Sequence, residues 1–209
     1  MSMGRPSLRN KLVESGVATV HRQGFATSGV RDITQAAGVP QGCFTNHFRS
    51  KEAFGVAVLE RYYEKTEAIL DATLRDEARP PIERLRAYFA AIEHFLQEAG
   101  WRQGCMISNM SLEAAEHSEA LRGCLVQIFK SLTERFGEAV LAAQAAGEIR
   151  SDIDAKELTD VMLAAWHGAM LRMKVERTPD PIERFKRIFF STLLANSPNP
   201  SGRDASNAA

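Results

Sequence analysis

Residues 28–51, SGVRDITQAAGVPQGCFTNHFRSK, constrain this chain more tightly than any other stretch. Two short apolar-patterned segments flank Ala36-Ala37-Gly38. The alanines let two helices approach closely, and Gly38 supplies the turn between them. Ile33, Val39, Phe44 and Phe48 can then bury together, with Phe25 from just past a first helix. This is the layout of a helix-turn-helix, whose second helix projects Gln41, Thr45, Asn46 and His47, side chains able to read base edges or bind phosphate. Cys43 and Phe44 lie on the same helix and complete the candidate DNA-facing set. Ser28 and Lys51, at expected helix N-termini, are placed for phosphate oxygens. The plainer alternative is a packed three-helix head without a ligand, which gives no reason to gather Gln, Thr, Asn and His beside cations.

Charge supports the same end of the chain. The formal net charge is zero. Residues 1–55 nevertheless hold seven Lys/Arg against three Asp/Glu, a net of +4, which leaves −4 on the remainder. A basic head on an acidic body suits phosphate contact at one end only.

Helical periodicity runs through nearly the whole sequence and strand signals are absent. The pattern predicts helices over about 8–23 (Ser7 as N-cap, Gly24 as terminator), 29–37 (Ser28 as cap) and a third starting at Pro40. A long fourth helix follows Ser50 towards Glu77, and Arg79-Pro80-Pro81 breaks the chain. Helices near 82–99, 105–115, 119–146, 155–176 and 181–195 complete the set, with capping-box spacing at Asp154/Glu157 and Asp180/Glu183. The expected fold is all-α, three helices in a head and six in a body. The expected division is 1–55 for DNA binding, 56–195 for effector binding and dimerisation, and 196–209 as a disordered tail. With mean hydropathy −0.23 and no run of some 18–20 apolar residues, no membrane span is expected. The first twenty residues lack a signal-peptide core, and three cysteines are an odd number, so the expected setting is the reducing cytoplasm.

The run R-D-I-x-x-A-A-G-V-x-x-G-x-F-x-x-H-F-x-S-K-E, residues 31–52, resembles the signature of TetR-family repressors. Thr45 stands where that family usually has Tyr, and Cys43 where Ser or Thr is common, so operator contacts are not transferable from relatives. Gly4-Arg5-Pro6 resembles the minor-groove arm of some members, against the simpler reading of Arg5 as a solvated terminal cation. The resemblance implies a helical C-terminal domain that binds a small molecule and dimerises, and a homodimer reading a palindromic double-stranded operator. The expected interface is the last two helices: Leu158, Val161, Met162, Ala165, Ala169 and Met173 on one, Ile182, Phe185, Phe189 and Leu193 on the other.

Downstream, W-R-Q-G-C-M-I-S-N-M-S-L-E (101–113) places Cys105, Asn109 and Glu113 at i, i+4, i+8 along an expected helix face. Cys105 falls at the helix start, where the dipole favours thiolate. With FRSKEAFGVAVLERYY (48–63) and W-x-G-A-x-L-x-x-K (166–174), this stretch resembles the NemR/AcuR-like subgroup, whose members respond to electrophiles, oxidants or acrylate. The resemblance implies Lys174 near Cys105, and a sensing set of Cys105, Asn109, Glu113, Trp166 and Lys174. The function expected is a regulator released from its operator by a small reactive or unsaturated compound, through modification of Cys105. The alternatives are a purely non-covalent pocket and a thiol-dependent enzyme acting on electrophiles. No nucleotide loop, cofactor motif or metal-ligand spacing favours catalysis, so no cofactor or metal is expected.

Overall fold

A computed structural model describes residues 7–193, with backbone alone for 192 and 193. Arg5 and its arm, the 196–209 tail and the side chain of Leu193 lie outside the described residues. Among those described are nine α-helices and no strand.

Each helix starts or stops where local chemistry dictates. Helix α1 (Leu8–Gln23) is capped by Ser7, whose hydroxyl accepts from the Asn10 N–H at 3.2 Å, and ends at Gly24 with φ +92°. Helix α2 (Val30–Ala37) begins one residue later than expected. Its cap is Gly29, whose N–H donates to the Asp32 carboxylate at 3.0 Å. Ser28 is not the cap: it is fully buried and its hydroxyl donates to Gly24 O at 2.5 Å. Helix α3 (Gly42–His47) starts two residues after Pro40, which instead accepts from the Cys43 N–H in a lead-in turn.

Helix α4 (Lys51–Leu74) is capped by Ser50 and stops three residues short of Glu77. There Asp76 accepts from the Ala78 N–H at 3.2 Å, a side-chain turn that competes with helix. Pro81 opens α5 (Pro81–Glu98), and α6 (Met106–Ala114) and α7 (Glu119–Ala145) follow. Asp154 caps α8 (Ala155–Glu176), accepting from the Lys156 and Glu157 N–H groups. Helix α9 (Asp180–Ile188) begins at its expected cap, one residue early, because Pro179 is already in helical conformation and accepts from Ile182 and Glu183. A π-helical turn, Phe189–Leu193, extends it.

The long α4 joins the two halves. At 1.5 Å per residue its 24 residues span about 36 Å. It packs on α1 at one end and on α5 and α7 along the rest, while α8 lies between α7 and α9. The expected division at residue 55 thus falls inside one continuous helix. Phe44, Phe48 and Phe54 cluster with centroids 5.0–5.5 Å apart and tie α3 to α4. In the body, Phe89 is surrounded by Phe136, Trp166, Phe185 and Phe190.

Two glycines permit the α1–α4–α7 approach. A Cβ on Gly16 would lie 2.3 Å from Phe54 Cζ and 2.8 Å from Val58 Cγ2. A Cβ on Gly55 would meet Phe25 Cε2 at 2.6 Å. Both neighbours of Gly16 are fully buried and cannot swing aside. Gly16→Ala is therefore expected to destabilise the chain by about 1–3 kcal/mol in denaturant unfolding.

Candidate nucleic-acid interface and ligand cavity

The turn between α2 and α3 rests on Gly38, in the left-handed region at φ +63° and ψ +38°. Its N–H donates to Gln35 O and the Val39 N–H to Thr34 O, closing the end of α2. Ile33 and Phe44 are buried beneath, so α3 is pinned by its inner face. Gln41, Thr45, Asn46 and His47 are all exposed on the outer face, as the pattern of residues required. Cys43 is half-buried.

Three members of the DNA-facing set are placed differently. Phe44 is core, 3% exposed, because its ring fills the space between Phe48 and Phe54. Ser28 is sealed in and bonded to Gly24 O, so its hydroxyl cannot reach a phosphate. Lys51 does open α4, but its ammonium donates to Ala26 O at 3.0 Å and lies 4.8 Å from the Phe25 ring centroid, stitching the preceding loop. Sequence reasoning passed over Arg31 and Arg49, which are exposed in the same segment. Their charge was counted but their positions were not assigned.

A cavity of about 460 Å³ opens between head and body. Its walls come from α1 (Val17, His21), α4 (Tyr62, Thr66, Ile69), α5 (Tyr88, Ile92) and α8 (Leu163, Trp166, His167), closed by Gly104-Cys105 ahead of α6. A second cavity of about 270 Å³ shares Gly104, Cys105, His167 and Met170 with it and adds Ser108 and Asn109. Cys105 thus borders both. Trp166 is both core and wall: 2% exposed, packed on Phe89 and Phe185, and facing the larger cavity.

The expected sensing set converges only in part: Cys105, Asn109, Trp166 and Lys174 gather around the Gly104–Cys105 segment, and Glu113 does not. Cys105 is the N-cap of α6, not part of its first turn. The Ile107 and Ser108 N–H groups and the Tyr62 hydroxyl favour its thiolate, but burial outweighs them and pushes the thiol up. This reverses the expected thiolate preference. Lys174 stands beside Gly104: its Cδ would lie 3.6 Å from a Cβ there, and its charge acts on His21. Asn109 faces the smaller cavity. Glu113 points away from both, and its carboxylate accepts from the Ala26 N–H of the head at 2.8 Å.

Sequence reasoning missed His21 and Tyr62. His21, in the last turn of α1, places Nε2 2.6 Å from Gly104 O. A carbonyl only accepts, so Nε2 carries the proton and donates. Burial, chiefly, lowers the His21 pKa. No local pattern marks His21, because its partner lies 83 residues away. Tyr62 fell within the 48–63 stretch already singled out, which was the available signal.

The expected dimer face on α8 also divides. Leu158, Met162, Ala169 and Met173 are buried within the chain. Val161, 56% exposed, and Ala165 face outwards, and Leu171 and Val175 are exposed on the same helix. Ile182, Phe185 and Phe189 of the second face are internal core. A 22-residue helix buried on one side keeps a second stripe for another surface.

A profile described as "Bacterial regulatory proteins, tetR family" matches residues 12–58, and one described as "Tetracyclin repressor-like, C-terminal domain" matches 81–189. The chain belongs to the TetR family of transcriptional regulators. It is 40% identical over 199 residues to the HTH-type transcriptional repressor DhaR of Mycobacterium sp. strain GP1, covering 95% of this chain and 98% of that one. It is 33% identical over 178 residues to the transcriptional regulator AcuR of Cereibacter sphaeroides, covering 85% and 81%. Among solved structures, a regulatory protein TetR from Rhodobacter sphaeroides superposes with TM-score 0.84 at 32% identity, covering 88% of this chain and 98% of that chain. The reduced form of Escherichia coli NemR superposes with TM-score 0.77 at 26% identity, covering 90% and 98%. TetR-family proteins are DNA-binding regulators and not enzymes, which sets aside the thiol-enzyme alternative. Among the described residues, no helix is long and apolar enough to cross a membrane.

His167 carries a pH signature. Burial lowers its pKa to about 4 from an ordinary 6.5. The unfolded chain then binds more protons than the folded one between these values, so this contribution is complete above about pH 6.5 and is lost as pH falls towards 4. Its full size is about 3 kcal/mol. Unfolding His167→Gln beside wild type across that window should show a shallower loss in the variant, by about that amount.

Proposed function

We propose that this chain is a dimeric transcriptional repressor, released from its operator by a small reactive or unsaturated compound that enters the cavity beside Cys105. The observation that carries this reading is the shared wall: Val17 and His21 of the head border the same 460 Å³ cavity as Cys105. An occupant there touches the DNA-binding unit directly. Repressor names among the relatives support the sign of regulation.

In this reading residues 1–55 bind DNA and 56–195 hold the effector and the dimer contact. Gln41, Cys43, Thr45, Asn46 and His47 face the groove. Two copies, joined through the outward stripe of α8, present two such faces to the half-sites of a palindromic operator. Regulators of this family bind ligands and act as dimers. An activated alkene would add to Cys105: sulfur bonds to the β-carbon, the thiol proton passes to the α-carbon through solvent, and nothing leaves. The bulk of the adduct presses on Gly104, whose carbonyl holds His21. Displacing His21 moves the end of α1 and, through the Gly24–Ala26 loop, α2 and α3.

The raised Cys105 thiol favours a second reading, reversible occupancy of the same cavity. The two separate cleanly. Operator binding by fluorescence anisotropy, titrated with N-ethylmaleimide and hypochlorite, should show release in wild type and at least about tenfold less sensitivity in Cys105→Ser. Unchanged release in the variant would establish the reversible reading. Because the thiol is neutral near pH 7, labelling of Cys105 by N-ethylmaleimide should rise about tenfold from pH 7 to 8. A plateau over that interval would indicate a preformed thiolate.

A further inference from the structure

The larger cavity presents no uncompensated charge. Lys65 is the one cation among its lining residues, and its ammonium is bound to the Glu14 carboxylate at 2.8 Å. Among the described residues, no Asp or Glu lines the cavity. Burial keeps His21 and His167 neutral by lowering their pKa values, and keeps Tyr62, Tyr88 and Cys105 neutral by raising theirs. The Gly104 carbonyl is already occupied by His21, and the Thr66 hydroxyl donates to Tyr62 O at 3.2 Å. Lys174 is not among the lining residues; it stands beside Gly104 and its charge acts on His21.

The polar groups of the wall are themselves neutral, and they include the Gln103 amide. The Tyr62 hydroxyl and the Cys105 thiol lie together, whereas Ile69, Ile92, Phe95, Leu163 and Trp166 supply an aromatic and aliphatic surface. A carboxylate or an ammonium entering this space loses its hydration and gains no opposite charge. A molecule with an apolar body and one neutral polar atom loses little and fills the volume, which lies in the ordinary range for small-molecule sites.

We propose that the cavity is a binding site for uncharged, mainly apolar molecules, with one polar atom directed to Tyr62 and Cys105 and the body against Leu163 and Trp166. This rests on the ligand-released repressor reading and narrows its effector class: anions such as acrylate are disfavoured and neutral compounds are selected.

The test uses a matched set, 4-phenyl-1-butanol, 4-phenylbutyrate and 4-phenylbutylamine, binding to the full chain by calorimetry near pH 7.5. The alcohol should bind at least about tenfold tighter than either charged analogue. It should also slow N-ethylmaleimide labelling of Cys105, followed by peptide mass spectrometry so that Cys43 and Cys124 serve as internal controls. Equal or tighter binding of the carboxylate or the amine overturns the proposal, as does binding by none of the three. Binding of the alcohol without protection of Cys105 overturns it too, because the occupant would then lie elsewhere. Operator binding is measured separately, without probe and with it. Alcohol binding that leaves the operator complex intact would contradict release and leave the site standing.

Discussion

Two hydrogen bonds join the DNA-binding head to the segment around α6, and the proposed release of the operator depends on them. The His21 imidazole donates to Gly104 O at 2.6 Å, and the Ala26 N–H donates to the Glu113 carboxylate at 2.8 Å. They hold the two ends of one short stretch, the last turn of α1 and the loop leading to α2. The same loop is held from the other side by Lys51, which donates to Ala26 O. The head is therefore not hung on α4 alone. Its orientation is set by a seam whose far side is the cavity wall, so occupancy and head position share the same atoms.

That seam explains which residues could be read from the sequence and which could not. Ser7, Ser50 and Asp154 were legible as caps because their partners are two or three residues away. The exposed row Gln41, Thr45, Asn46 and His47 was legible because the buried positions Ile33 and Phe44 fix the opposite face of α3. Cys105, Asn109 and Glu113 misled for a geometric reason. Each step of four residues drifts about 40° around a helix, so positions eight apart are about 80° out of line. Cys105 moreover precedes α6. One residue faces both cavities, one the smaller, and the last meets the head. Ser28 misled because Gly29, with Asp32 behind it, satisfies the helix start at no cost in side-chain burial. Long-range partners such as His21 with Gly104 leave no local trace.

Burial sets the chemistry of Cys105 more than the helix dipole does. Its position at the N-terminus of α6 supplies two backbone N–H groups that favour a thiolate, and the surrounding aromatic and aliphatic wall outweighs them. The same desolvation holds His21, His167, Tyr62 and Tyr88 uncharged. On the proposed reading, a cavity built this way discriminates by charge before it discriminates by shape, and the Cys105 sulfur reacts slowly until a suitable molecule is held against it. Net charge, which is zero for the whole chain, hides this division of labour between a basic head and a neutral pocket.

The central claim is that the α1–α6 seam transmits occupancy to the operator. It is tested most directly by the ratio of operator dissociation constants with and without Cys105 alkylated, compared between wild type and Glu113→Ala. Loss of the carboxylate frees the Ala26 N–H while leaving the cavity wall and the face of α3 untouched. The account predicts that the variant still binds the operator but that the ratio falls at least about threefold towards unity, a coupling loss within the ordinary range for such networks. A ratio equal to that of wild type would contradict it.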